Sequence, residues 1–407
     1  MKVLTLNCGS STVKYKLIET DTEENIAYGK VERIGMIGAS IEIVTQNGKK
    51  IVEEQELLDH VMAVDAILKM MIRPDLKIIS DFSEIDAVGH RVVHGGETFT
   101  GSVLINDEVI KILKENIQLA PLHNPPNIQG IEAAKAVLPD VPMVGVFDTA
   151  FHTTMPDYAY IYPIPYQLYR KHAIRRYGFH GTSHYFVSRK ACEKLNCKVH
   201  SCNLITLHLG NGASVTAIKR GKSVDTSMGF TPLEGLVMGT RCGDIDPAII
   251  LHIMQQEKLA LYEANNLLNK FSGILGISGK SNDMRDIEEL YNQGDNLARL
   301  TIDIYTYRIK KYIGAYFAVL GHVDIIVFTA GVGENSPLIR EKSLEDMDTF
   351  GIKLDHDRNE KIVGGKDGVI SSDDSKVKVV VIPTNEELVI AMDTAKIVKK
   401  MGKKLKK

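Results

Sequence analysis

The sequence predicts an α/β protein built from two related domains, on three observations. Apolar runs such as 141–147 (VPMVGVF), 323–328 (VDIIVF) and 377–382 (VKVVVI) stop abruptly at Asp148, at Thr329-Ala330-Gly331 and at Pro383. Runs of this length fit strands buried on both faces. Segments with a helical period lie between them. A strand, a small-residue turn and a second strand occur twice, about half a chain apart, which suggests duplication.

The elements follow in order. Residues 2–7 alternate, turn through Cys8-Gly9-Ser10-Ser11-Thr12 and continue as 13–19, a hairpin. The polar, alternating segment 38–55 reads as a peripheral hairpin. Residues 203–209 lead through Gly210-Asn211-Gly212-Ala213 into 214–219, and the turn Arg220-Gly221-Lys222 implies a third strand. Helices are expected over 57–72, 106–119, 127–137, 183–195, 247–269, 284–319 and 385–400. Thr384 with Glu387 three residues on forms a capping box for the last. The end of the chain, with six lysines in its last nine residues, reads as a solvated helix end rather than a polyanion contact.

Composition narrows the class. At 407 residues the chain has the length of two domains. With 44% hydrophobic and 25% charged residues it is neither disordered, collagen-like nor a disulfide scaffold. A formal charge of −2 gives no field for gathering nucleic acid or an anionic membrane. No apolar run approaches the ~18 residues of a membrane span. The start turns polar by Asn7, too early for a signal peptide or for a lipid anchor at Cys8. Of the five cysteines, Cys192, Cys197 and Cys202 are evenly spaced with His200 between the last two. Zinc would call for tighter ligand pairs, so ordinary reduced thiols in a cytoplasmic protein are expected.

Two nucleotide motifs fail. Gly276-Ile277-Ser278-Gly279-Lys280-Ser281 resembles the end of a P-loop, but Ile274 stands where its first glycine should be and a helix precedes it. Gly331-Val332-Gly333-Glu334-Asn335-Ser336 follows a strand but lacks the third glycine of a dinucleotide fingerprint. What remains is three turns rich in small residues, at 8–12, 210–213 and 331–335, each after an apolar strand. Successive backbone N–H groups in such turns bind anionic oxygens. They suggest a phosphate clamped between two related domains, with the third turn at the nucleoside end.

Charged residues in apolar or glycine-rich settings complete the set. Arg91 sits inside a buried strand, where an arginine is either paired or binding an anion. Arg241 and His180 lie among glycines with no helical or strand period. Asp148 ends a buried strand, as a catalytic group or as a helix cap. Lys14, just past the first turn, is a phosphate ligand or a surface lysine. Together they make a phosphoryl-transfer set, in which catalysis is positioning plus electrostatic stabilisation. A hydroxyl acceptor would need a base such as Asp148. A carboxylate acceptor is already ionised, and needs fixed cations to offset anion–anion repulsion. The residues leave both acceptors open, leaning to the carboxylate.

The segments NCGSSTVKYKLIE, HRVVHGGETF, APLHNPPN, FDTAFH, RRYGFHGTSH, HLGNGASVTAI, DTSMGFTPLEGLVMGTRCGDIDP and FTAGVGENSPLIR resemble the acetokinase family from residue 3 to about 393. The resemblance implies duplicated ribonuclease-H-like domains of the actin and sugar-kinase superfamily, with a nucleotide cleft between them. The expected boundaries are 1–150 plus 386–407 for the first domain and 151–385 for the second, which would carry most of the ATP site. The implied reaction is ATP + acetate ⇌ ADP + acetyl phosphate, with Mg²⁺ (or Mn²⁺), in a cytoplasmic homodimer serving acetyl-CoA biosynthesis. Asn7 and Glu386 would bind the metal. Lys14 would touch the nucleotide phosphates. His208, Leu209, Gly210, Asn211 and Gly212 would line the ATP cleft with Asp283, Met284, Arg285, Gly331, Val332, Gly333, Glu334 and Asn335. Arg91 would hold the acetate carboxylate, and His180 and Arg241 would stabilise the transition state. Asp148 is the family's acid/base; the ionisation argument instead has it orient Arg91 or a metal-bound water. Val93, Leu122, Phe179 and Pro232 match a small pocket for the methyl group. Thr12 stands where the family usually has serine, and keeps the hydroxyl. Lys280 has no assigned role. The rivals are a propionate or butyrate kinase of the same family, and more distantly a sugar kinase, or a chaperone or filament ATPase of the superfamily.

Overall fold

The computed structural model describes residues 1–121 and 123–405, and side chains as far as Gly402. The chain forms two compact units, Met1–Ala150 with Asn385 onward, and Phe151–Thr384.

The first unit is built on one sheet of strands β1 (Lys2–Cys8), β2 (Thr12–Glu19), β3 (Glu24–Glu32), β4 (Ser40–Thr45), β5 (Lys50–Glu54), β6 (Ala87–Val92), β7 (Val103–Leu104) and β8 (Met143–Phe147). Their order is β5-β4-β3-β2-β1-β6-β8-β7. The first five pair antiparallel as a meander, while β1, β6 and β8 run parallel. The 38–55 hairpin is β4 and β5, at the sheet edge. Parallel strands need both faces covered. Helices His60–Met71 and Asn124–Val137 pack against each other, and the second also covers β1 and β6. The final helix, Glu386–Leu405, packs against β1, β6 and β8. That contact is close: a Cβ on Gly89 would lie 2.5 Å from Thr394 Oγ1 and 2.7 Å from Ile390 Cγ2. Glycine in mid-strand is therefore what lets the end of the chain seat here.

The second unit repeats the scheme with β9 (Asn203–Leu209), β10 (Ala213–Lys219), β11 (Lys222–Thr226), β12 (Ile325–Thr329), β13 (Gly368–Val369) and β14 (Lys378–Val381). The order is β11-β10-β9-β12-β14-β13, with β9, β12 and β14 parallel. The series β3-β2-β1-β6-β8 and β11-β10-β9-β12-β14 thus have one topology, a three-strand meander joined to two parallel strands. The duplication read from the two hairpins is present at the level of whole sheets.

Several expected elements differ in detail. The helix expected over 247–269 is two, Pro247–Gln256 and Leu261–Lys270, broken where Lys258 takes a left-handed φ of 54°. The one expected over 284–319 is Met284–Asn292 and Asn296–Leu320, interrupted by Gly294 at φ 85° and restarted by Asp295, whose side chain accepts from Ala298 N. The helix after Asn106 ends at Glu115 and tightens to a 3₁₀ turn over Asn116–Leu119. Thr384 does not cap the final helix. Asn385 does, accepting from Leu388 N at 3.2 Å, while the Thr384 hydroxyl meets Ser183 and Glu387 faces Lys16. Within the lysine-rich end, Lys399 pairs with Asp21 at 3.0 Å, so it is not merely solvated. The side chains from Lys403 onward lie outside the described residues.

Candidate active site

In the first unit the candidate residues gather at the carboxyl ends of β1, β6 and β8, where open α/β sheets place ligands. Asn7 near the end of β1 pairs in register with Lys14 on β2. Arg91 is the next-to-last residue of β6, and Asp148 directly follows β8. The Arg91 guanidinium grips Asp148 with one edge: Nε lies 3.1 and 3.2 Å from the two carboxylate oxygens and Nη2 lies 2.6 Å from Oδ2. Nη1 also donates to Asn7 Oδ1 at 3.4 Å. Asp148 is only 1% exposed. Burial opposes the Arg91 charge, but Asp148 and Glu386 more than offset it and raise its pKa. Asp148 is not a free carboxylate; it is half of a forked ion pair.

Glu386 opens the final helix beside this pair. Burial pushes its pKa up to about 7, Arg91 and Lys14 pull down, and Asp148 and Glu387 push up. An all-oxygen donor set of Asn7 and Glu386, with a carboxylate short of positive charge, suits a hard divalent cation such as Mg²⁺. Val93, two residues after Arg91, is 7% exposed, and its N–H donates to Asn127 Oδ1 at 3.0 Å. Asn127 Nδ2 in turn holds the Cys8 carbonyl at 2.8 Å, and Asn124 brackets His94 through both its N–H and its carbonyl. These two asparagines of the NPPN segment fix the ends of β1 and β6. Leu122 lies outside the described residues.

In the second unit the helix Gly181–Lys194 begins at His180, which caps it in a left-handed conformation with φ 55°. Such backbone is uncommon outside glycine and is found at functional sites. His180 Nδ1 meets Ser214 Oγ at 2.9 Å, and its ring stacks on His208 with centroids 4.1 Å apart. His208 Nδ1 meets Ser183 Oγ at 2.8 Å. His184, one turn along the helix, bridges Thr206 and Ser214 hydroxyls at 2.7 Å each. Burial, with His152 and His208 nearby, holds His184 well below the usual histidine pKa, so it is neutral. A Cβ built on Gly212 would stand 3.5 Å from both Arg241 Nη1 and His180 Nε2. The glycine turn, the arginine and the histidine therefore share one spot. Arg241 is partly buried and donates to the Pro232 carbonyl at 2.9 Å. Burial lowers its pKa, and no carboxylate is paired with it among the described residues. Phe179 is 2% exposed and accepts from His152 through its carbonyl.

A cavity of about 480 Å³ opens beside this group, lined by Gly210, Asn211, Asp283, Met284, Arg285, Gly331, Val332 and Asn335. His208, Leu209, Gly212, Gly333 and Glu334 are not in its lining. The 331–335 segment is not an open turn but a short helix, Ala330–Asn335, entered through Ala330 at φ 64°. Glu334 serves the backbone there, accepting from Ala330 N at 2.7 Å and Thr384 N at 3.1 Å. Sequence reasoning missed Ile274, Asn282, Glu288 and Ser336, which also line the cavity. Glu288 accepts from Ser336 Oγ, and burial raises its pKa. Lys280, in the false P-loop, pairs with Asp295 at 2.5 Å.

The short helix is held from behind by Arg340, which is fully buried. Its guanidinium donates to the carbonyls of Gly333 and Glu334 at 3.0 Å, and to Asn359 and Ile362. Burial lowers its pKa to about 10, so it stays charged near neutrality. Arg340→Met is expected to cost about 3–5 kcal/mol of stability, because buried carbonyls lose a charged donor. Equilibrium urea unfolding checks this, and an unchanged midpoint would refute it.

The sequence profile described as the Acetokinase family matches residues 2–392. An acetate kinase of Thermoanaerobacterium thermosaccharolyticum is 56% identical over 402 residues, covering 98% of this chain and 100% of that protein. The crystal structure of Porphyromonas gingivalis acetate kinase superposes with a TM-score of 0.94 at 50% identity, covering 98% of this chain and 99% of that one. A propionate kinase from Francisella tularensis superposes with a TM-score of 0.91 at 42% identity, covering 97% and 99%.

Proposed function

The chain belongs to the acetokinase family, and from that premise we propose that it is an acetate kinase, moving the γ-phosphoryl group of ATP reversibly to acetate. The observation that carries this is the match to acetate kinases along both chains from end to end. The charge arrangement supports it. An ionised carboxylate needs no base, and Asp148 has both oxygens committed to Arg91. In this reading Asp148 is a positioning residue that presents the Arg91 fork to the acetate carboxylate.

Arg241, with no carboxylate paired to it among the described residues, takes the transferring phosphoryl oxygens in this reading, and His180 donates a hydrogen bond to them. The reading requires Arg91 and Arg241, from different units, to serve one reaction centre. Val93, Phe179 and Pro232 are the proposed contacts of the methyl group. Lys14 meets the phosphates, and the 480 Å³ cavity takes the nucleoside end. Asn7 and Glu386 would hold Mg²⁺ or Mn²⁺, and the ion would supply charge neutralisation on the phosphate oxygens.

No helix among the described residues is long and apolar enough to cross a membrane, and we place the enzyme in the cytoplasm. Ile249, Leu251, Leu261, Tyr262 and Phe271 are exposed along two consecutive helices, which supports a homodimer.

The propionate kinase among the structural relatives makes that acid the second reading. One methylene is worth only ~1–3 kcal/mol of discrimination, or ~10–200-fold. In a hydroxamate assay with ATP and Mg²⁺, acetate is expected to give the highest kcat/KM, with propionate turned over detectably and butyrate less. A clear propionate preference would overturn the acetate assignment.

A further inference from the structure

Spacing along the chain argued against a metal at Cys192, Cys197 and Cys202, but the fold removes that objection. Cys192 lies in the last turn of helix Gly181–Lys194, Cys197 in the loop that follows, and Cys202 directly before β9. The loop folds back on the helix, with Cys197 N donating to the Cys192 carbonyl at 2.9 Å. The three sulfurs end within 4.8 Å of one another. A metal–thiolate bond of about 2.3 Å places sulfurs roughly 3.8–4.0 Å apart around one ion, so little movement closes the triangle.

Cys192 and Cys202 are buried in an apolar cluster with Val187, Ala191, Leu204 and Ile218, against which Cys197 packs. Cys197 is half-buried and gives access from solvent. His200 is not part of the group, since its Nδ1 faces the Arg220 carbonyl at 3.3 Å. The other cluster of possible ligands among the described residues, Glu341, His356 and Glu360, lies on the exposed surface and has no sulfur.

We propose that Cys192, Cys197 and Cys202 form a binding site for one thiophilic metal ion of the closed-shell class represented by Zn²⁺, Cd²⁺ and Cu⁺. Soft thiolate ligands select such ions. Capture of a divalent ion replaces three S–H bonds with three metal–sulfur bonds and releases three protons to solvent. No electron is transferred, and the centre is left with one net negative charge. Burial raises the Cys192 and Cys197 thiols above their ordinary values.

The ion would tie the far end of helix Gly181–Lys194 to the start of β9. The catalytic candidates His180 and His208 are at the opposite ends of those two elements, with the helix itself spanning about 21 Å. The expected consequence is stability rather than turnover.

The test uses the full chain, reduced, stripped with chelator and titrated anaerobically with Cd²⁺. One equivalent per chain should bind, with an ultraviolet thiolate-to-cadmium absorption and a rise in Tm. Cys197→Ser, at the half-buried position, should fold normally yet bind at least an order of magnitude more weakly and lose both signals. Cys242→Ala and Glu341→Gln/His356→Ala should bind as the parent does. Binding that survives Cys197→Ser, absence of the absorption band, or rapid closure of a disulfide among the three in air would each overturn the proposal.

Discussion

Arg91→Ala is expected to lower kcat/KM by on the order of 10³–10⁵, roughly 4–7 kcal/mol, and to weaken acetate binding as well. The loss follows from geometry. The fork is fixed by Asp148, so on the proposed reading the cation is pre-organised for the incoming carboxylate. Removing it also strands Asp148, a carboxylate 1% exposed, and breaking a buried pair from one side costs about 3–5 kcal/mol of stability. Loss of activity alone would therefore not separate a catalytic role from a structural one. The variant Arg91→Ala/Asp148→Ala removes the stranded charge. It is expected to recover most of the stability and none of the activity. Steady-state kinetics at saturating ATP beside urea unfolding of both variants decides the point. Near-normal turnover in Arg91→Ala, or recovery of activity in the double variant, would end the assignment of this arginine to substrate.

The two hairpins were legible in the sequence because alternation and a run of small residues are local signals, and the parallel strands because a strand buried on both faces is apolar throughout. Arg91 stood out for the same reason, as a charge inside such a run. What sequence could not show was which partner the charge had. Asp148 comes from a strand 57 positions away and meets Arg91 only because β6 and β8 are neighbours. The break at Gly294-Asp295 carried its own stop and start signals, a glycine followed by a capping aspartate; the continuing apolar period hid it. The break at Lys258 had no such residue. The cage around Arg340 draws on Asn359 and Ile362, well beyond any local pattern. His184 was more accessible: it follows His180 by four residues at the start of a helix, on the same face. The proximity of the three cysteines was hidden because metal-site spacing rules describe compact loops, and here a helix end, a loop and the residue before a strand supply one sulfur each.

Arg241→Ala is expected to have a comparable catalytic effect and an opposite structural one. Its guanidinium donates to the Pro232 carbonyl and meets Met238 Sδ, and burial lowers its pKa with no carboxylate paired to it among the described residues. A partly buried cation in this state costs folding free energy. On the proposed reading that cost is offset when phosphoryl oxygens arrive beside the glycine turn. Truncation should lower kcat by about 10³ or more, since an interaction made chiefly in the transition state is removed. Thermal stability should hold or rise. The Arg91 and Arg241 variants thus predict different pairs of readouts: activity and stability fall together for the first, activity alone for the second. If both cations act on one reaction centre, the double variant Arg91→Ala/Arg241→Ala loses less than the sum of the two single losses, as residues acting as a unit do. Full additivity in that cycle would mean the two arginines work separately, and the carboxylate-attack reading would then lose its electrostatic basis.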